Sequence, residues 1–304
     1  MADQPLRHPP VKAVQPDNPL KGIALLVAAF ACFSCSDAAS KLMTGSMPAI
    51  EIAWLRYVVF LALMMGAVAL SGAGAKAFRS KRPALQFVRA CGVLGSTILF
   101  IMGLRYLPMA EATAITFIAP VYVTALSILL LGEFVGIRRW AAVFIGLLGV
   151  LIVVRPGTGA FDAAAFFPLT SSLCWAVALI VTRKMSSADG PLVALTYAAL
   201  VGFAFTSVLV PFEWTTPGWR EIGLGIVTGA ASTAAQWLTV LAFQHARASV
   251  LAPFSYSQLI WSTLLGFAVF GNLPDSWTLV GAVIIIASGL YTAHRERVRA
   301  RLPS

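Results

Sequence analysis

Residues 33–43 read FSCSDAASKLM, and this otherwise apolar stretch places Asp37 and Lys41 one helical turn apart. An ionised carboxylate inside a hydrocarbon core costs several kcal/mol unless it is paired or hydrated. The i,i+4 spacing puts both groups on one helical face, where they can neutralise each other, and Lys41 lies near enough to the end of the run to snorkel. Two readings follow. The pair closes the helix, or the face lines a water-filled cavity with Asp37 as a substrate contact or proton carrier. The second is the expectation, because the aligned position in the second half of the chain is Ile180 and the acid therefore stands alone.

Other polar residues inside apolar runs extend the candidate set. Arg56 is always charged and can fork onto a carboxylate or phosphate of a ligand, or brace against Glu51, Asp37 or Glu111. Glu111, at the start of a helix, complements the helix dipole, and Glu133 sits beside Arg138 and Arg139 as an interfacial ion-pair lock with gating as its expected role. Tyr57, Trp175, Gln236, Trp237, Tyr256, Gln258 and Trp261 combine hydrogen-bonding groups with flat apolar surface, which suits a ligand with a ring and several polar edges. Thr113, Thr116 and Tyr122 belong to the same intramembrane set, for which helix packing with polar glue is the competing reading. Pro120 and Pro253 each remove a backbone donor in mid-run and are candidate hinges.

Several chemistries are excluded. Cys32 and Cys35 form C-x-x-C without a neighbouring His, so no metal site is expected and the cysteines read as packing residues. The histidines are His8, His245 and His294, none deep within a run. No intramembrane dyad is expected, and the chain is read as a non-enzyme without cofactor. There is no GxxxxGK loop for nucleotide-driven pumping.

The elements that position these residues follow from composition. Hydrophobic residues make up 59% and charged residues 11% of 304, against about a quarter charged in soluble chains. This is an all-α, polytopic membrane protein. Apolar runs give ten expected spans, near 20–43, 48–71, 84–104, 110–131, 138–154, 164–184, 191–211, 220–243, 247–270 and 275–293. The net charge of +10 does not signal nucleic acid, because the basic residues cluster between the runs. With the N-terminus inside, seventeen of the 22 Lys and Arg fall on the cytoplasmic side. That distribution predicts both termini in the cytoplasm of a cell inner-membrane protein, with the lipid bilayer as its surroundings. Trp140, Trp214, Trp219, Trp277 and Trp54 fit interfacial belts.

The halves resemble each other. KLMTGSMP at 41–48 pairs with KMSSADGP at 184–191, and LLLGEFVGIRRW at 129–140 with AVFGNLPDSWTL at 268–279. Five spans per half make the second half enter from the opposite side, so the ten helices form two inverted five-helix repeats about an axis in the membrane plane. The expected organisation is a disordered cytoplasmic tail at 1–19, repeats at 20–155 and 156–294, and a basic cytoplasmic tail at 295–304.

LRYLPMAEATAITFIAPVYVTALSILLLGE at 104–133, RRWAAVFIGLLGVLIVVRPG after it, and SQLIWSTLLGFAVFGNLPDSWTLVGAVIIIASGLYTAHRER at 257–297 resemble the signature of the EamA family of the drug/metabolite transporter superfamily. The resemblance covers nearly all of the chain after residue 19 and makes each repeat EamA-like. It implies a ten-helix carrier, with both termini inside, of metabolites such as amino acids, riboflavin or S-adenosylmethionine, and it adds weight to Arg56. Asn272 and Leu259 depart from the repeat, standing where counterparts of Glu133 and Pro120 would fall.

The expected function is secondary transport of a small polar or aromatic metabolite by alternating access, driven by protons or a counter-substrate. Export of amino acids or toxic metabolites is the alternative, and a non-transporting scaffold the reading from another class. Monomer and homodimer both remain open.

Overall fold

The computed structural model describes residues 18–131, 137–155, 163–185, 189–246 and 248–299. The described residues are helical throughout, apart from short turns. The helices are α1 (Pro19–Met43), α2 (Ala49–Leu70), α3 (Pro83–Tyr106), α4 (Met109–Thr116), α5 (Ala119–Leu131), α6 (Ile137–Val154), α7 (Phe166–Lys184), α8 (Pro191–Leu209), α9 (Trp219–His245), α10 (Ala248–Leu251), α11 (Ser257–Phe270) and α12 (Ser276–Arg299). Starts are set by local chemistry. Asn18 caps α1 by accepting from the Lys21 N–H, and Pro opens α1, α3 and α8 at positions where its missing N–H costs nothing.

Ten spans result, matching the expected runs within a few residues. Two of them differ in one respect: the fourth span of each half is broken. In the first half, α4 ends in tight i→i−3 bonds, Phe117 N–H to Ala114 and Ile118 N–H to Ile115, and α5 restarts with Pro120 as its second residue. Pro120 has no N–H to offer the Thr116 carbonyl, so the α-helical ladder cannot run through. In the second half, α10 gives way to a 3-10 segment, Ala252–Tyr256, which contains Pro253, before α11 begins. The first break begins eight residues into its span, about 12 Å at 1.5 Å per residue, and the second begins after the four residues of α10 and runs to Tyr256, so both lie in the interior of a hydrocarbon core about 30 Å thick.

The packing obeys the repeat symmetry. α1 lies along α9 as α3 lies along α7, α2 meets α9 as α8 meets α3, and α1 packs on α11 as α7 packs on α5. Two pairs, α2 with α8 and α6 with α12, are their own mates. Because each half has an odd number of spans, this two-fold relation is the inverted repeat. Glycines allow the closest crossings. A Cβ on Gly22 of α1 would come 2.6 Å from the Ala246 Cβ, and one on Gly92 of α3 would come 2.8 Å from the Cys174 carbonyl. Gly149 and Gly281 do the same reciprocally between α6 and α12, at 2.9 and 2.6 Å from each other's carbonyl oxygens. With no hydrophobic force between helices in lipid, such close backbone approach is a main source of association.

Candidate functional site: a buried carboxylate beside the helix breaks

Polar residues along α1 divide by face. Ser36 and Ser40, four apart, point at α9, where both hydroxyls lie 2.8 Å from the Thr228 hydroxyl, and Thr228 donates to the Ser36 carbonyl at 3.0 Å. This knot is fully buried and satisfied, so it fixes α1 on α9. Ser34 reaches α11, donating to the Gln258 carbonyl at 3.5 Å, and Ala38 packs with Ile115 of α4 and Leu259 of α11. Between those two, α1 runs past both breaks.

Asp37 occupies the remaining face. It is 6% exposed, and its carboxylate has neither a hydrogen bond nor an ion pair among the described residues. The neutralisation by Lys41 that the i,i+4 spacing would allow is absent. The Lys41 ammonium instead donates to the carbonyls of Leu104 and Leu107, both at 2.6 Å, and lies 5.6 Å from the centre of the Phe270 ring. The last carbonyls of a helix have no intrahelical donors and lie at the negative end of its dipole, so they are ready acceptors for an ammonium group. The charge that acts on Asp37 is Arg56 of α2. By helical rise the two are level, Asp37 about 9 Å below the end of α1 and Arg56 about 10 Å below the start of α2. Arg56 is half-buried and also lacks a hydrogen bond or ion pair among the described residues. Glu51, one of its expected braces, is committed elsewhere: it accepts from the Thr215 N–H at 3.1 Å and the Thr215 hydroxyl at 2.5 Å. An acid and a base, level with each other and each without a hydrogen bond or ion pair among the described residues, thus act on one another inside the bundle.

Aromatic surface borders this region. Phe30 and Phe33 sit on the face of α1 that carries Asp37, at i−7 and i−4, with ring centres 6.2 Å apart. Sequence reading missed both, although their helical spacing from Asp37 was the signal. Across the breaks, Phe117 and Tyr256 touch, with ring centres 5.0 Å apart. The hydroxyl of Tyr256 fills a notch at Gly289 that any Cβ would occupy. Tyr57 is fully buried, its ring seated in the notch at Gly202 of α8 and its hydroxyl bonded to Thr97.

Of the expected site residues, Asp37 and Arg56 interact electrostatically and the Gln258 backbone meets α1 through Ser34, whereas Tyr57 packs against α8 and Tyr256 against α12. Trp175, Gln236, Trp237 and Trp261 lie on α7, α9 and α11 and share no ring contact or hydrogen bond with that group among the described residues. Trp175 is informative all the same. It is 41% exposed and stands on the opposite side of α7 from the exposed Phe166 and Leu173. Pro120 and Pro253 lie at the two breaks. Glu133 lies outside the described residues. No group of three His, Cys, Asp or Glu able to hold a metal ion occurs among the described residues.

Known proteins share this pattern. The model of the EamA-like transporter family matches residues 20–155 and again 163–292. The S-adenosylmethionine uptake transporter of Rickettsia prowazekii (strain Madrid E) is 25% identical over 279 residues, covering 91% of this chain and 94% of its own. The riboflavin transporter of Vibrio cholerae serotype O1 is 25% identical over 288 residues, covering 93% and 96%. A crystal structure with 18% identity superposes with a TM-score of 0.64 over 91% of this chain and 98% of its own, which establishes the same fold. With one family matching both halves of the helical bundle, the chain belongs to the EamA-like transporter family.

Proposed function

We propose that the cargo is a zwitterionic metabolite bearing a flat ring, of the S-adenosylmethionine kind. In this reading Asp37 takes the ammonium group and Arg56 the carboxylate. The observation that carries it is the buried, unpaired Asp37 level with an unpaired Arg56. Such charges are costly in a bilayer unless something completes them, and a ligand with both signs on one carbon completes both at once. Phe30, Phe33 and Tyr256 supply stacking surface, Gln258 and Gln236 supply hydrogen bonds, and Trp175, Trp237 and Trp261 line the path beyond. The breaks at Pro120 and Pro253 act as hinges. The relative named for S-adenosylmethionine supports this class, whereas riboflavin, the cargo named for the second, lacks the paired charges that this site would complete.

In this reading the protein lies in the cell inner membrane with both termini in the cytoplasm, which its Lys and Arg distribution supports. Flux is driven by protons or a counter-substrate, with Asp37 as the group that would carry a proton when no cargo is bound.

Liposomes containing the purified protein test this by counterflow of labelled S-adenosylmethionine, riboflavin and neutral amino acids. Saturable exchange of S-adenosylmethionine is expected, reduced at least tenfold by Asp37→Asn while folding and expression are retained. Exchange of riboflavin alone, or a wild-type rate for Asp37→Asn, would refute the assignment.

A further inference from the structure

The two-fold symmetry of the packing is broken most clearly around α3 and α4. α4 packs against α11, α12 and α1. The symmetry mates of these contacts would join α10 and its 3-10 segment to α5, α6 and α7, and they have no comparable counterpart among the described residues. Similarly, α3 packs on α1 and α2, whereas α9 has no comparable packing on their mates α7 and α8. The bundle is closed at the end carrying the α3–α4 turn and loosened at the end carrying the α9–α10 turn.

Lys41 sits at the closed end and joins its parts. It binds the last turn of α3 through the Leu104 and Leu107 carbonyls and lies against Phe270 at the end of α11. In the repeat, Lys41 aligns with Lys184, the last residue of α7. The last turn of α3 corresponds to the last turn of α9, since both helices end one residue before a cap that donates to the carbonyl four residues back, Leu107 to Gly103 and Ala246 to Ala242. Lys184 is exposed, and its ammonium has no hydrogen bond or ion pair among the described residues.

We propose that Lys41 and Lys184 are the two latches of an alternating gate. Lys41 caps α3 in the state seen here, and Lys184 caps the last-turn carbonyls of α9, around residues 243–246, when the other end closes. The chemistry is the same at both ends: an ammonium group satisfies helix C-terminal carbonyls that lack donors and lie at the negative end of the dipole. One latch closes as the other opens, because the rocking that brings α9 to α7 carries α3 away from α1. The latches differ in one feature. Phe270 has no aromatic mate, since Leu131 ends α5, so the Lys41 latch has a cation–π contact that the Lys184 latch lacks. That difference favours the state observed.

The inference rests on the transporter reading but is tested without a substrate. Paired spin labels are placed at Gly45 and Tyr106 across one end, and at Pro191 and Gln244 across the other, in full-length protein in lipid nanodiscs. The wild type should show a short Gly45–Tyr106 distance and a long Pro191–Gln244 distance. Lys41→Met should lengthen the first and shorten the second in most molecules, and Lys184→Met added to it should abolish the shortening. In liposomes, Lys184→Met should slow exchange at least fivefold with ligand affinity unchanged, and Lys184→Arg, which can still cap carbonyls, should restore at least half the rate. An unshifted Gly45–Tyr106 distance in a folded Lys41→Met protein would overturn the gate, as would persistence of the second closure without Lys184. Shifted distances with no flux for any tested metabolite would leave the gate standing and refute only the cargo.

Discussion

At the scale of single residues, what matters is which polar groups are satisfied. The Ser36–Ser40–Thr228 knot is satisfied, and Glu51 is tied through its Oε2 to Thr215, so both hold helices or loops in place. Asp37 and Arg56 are unpaired, and that is what separates a site from a brace. The i,i+4 spacing allowed Asp37 and Lys41 to pair, but Lys41 donates instead to carbonyls at the end of α3, sixty-three residues away in the chain. A second residue-scale prediction concerns Asp189, in the turn between α7 and α8. Partial burial alone would raise its pKa. Hydrogen bonds from the Ser80 hydroxyl, the Gln86 amide and the Lys81 N–H, with the Lys81 charge, outweigh that and hold the carboxyl below the usual carboxylate range. A depressed folded-state value stabilises the protein above the unfolded pKa of about 3.9, and the stabilisation is lost as pH falls through the lower native value. Melting temperature measured from pH 6 down to 3 should fall for the wild type, and less steeply for Asp189→Ala.

At the scale of helices, the glycine crossings carry the packing. Gly281→Leu would drive a side chain into the Gly149 carbonyl, 2.6 Å from its Cβ. It should cost about 2 kcal/mol or more, seen as a lower melting temperature in detergent. Gly45→Ala, where nothing lies within 4 Å, should leave melting unchanged within error. The fourth spans show a different element-level property. The apolar runs predicted two unbroken helices, and hydropathy cannot register a break because the breaking residues are themselves apolar. The prolines were the only signal. Pro120→Ala should let α4 and α5 join, and slow exchange severalfold with little loss of ligand affinity. An unchanged rate would remove the hinge role from that break.

At the scale of the molecule, inverted symmetry and its violation together describe the function. Nearly every contact between the halves has a mate, so the chain can form two packings of similar energy. Most of the contacts without mates, those of α3 and α4, lie at one end, so the structure holds one of the two. An ion pair at 2.8 Å between Arg155, at the end of α6, and Asp275, at the start of α12, links the self-mated outer pair of helices. The Asp275 carboxyl is held below the usual range, first by Thr278 and with help from Arg155, while its partial burial acts the other way. Asp275→Asn should therefore loosen α6 from α12 without shifting the gate distances, which the same spin-label pairs would report.

The amino-acid sequence by itself determined the class of protein, the ten spans, the repeat and the family, because each depends on local hydropathy, on charge counted along the chain, or on motif spacing. It also pointed to Asp37 and Arg56, since charge in an apolar run needs no structure to be noticed. Only the tertiary structure decided which charges were unpaired, that Lys41 belongs to α3 rather than to Asp37, and that one end of the bundle is closed. Those facts turn on helices meeting across the bundle, and a bilayer supplies no solvent that would leave such meetings written in the pattern of any one helix.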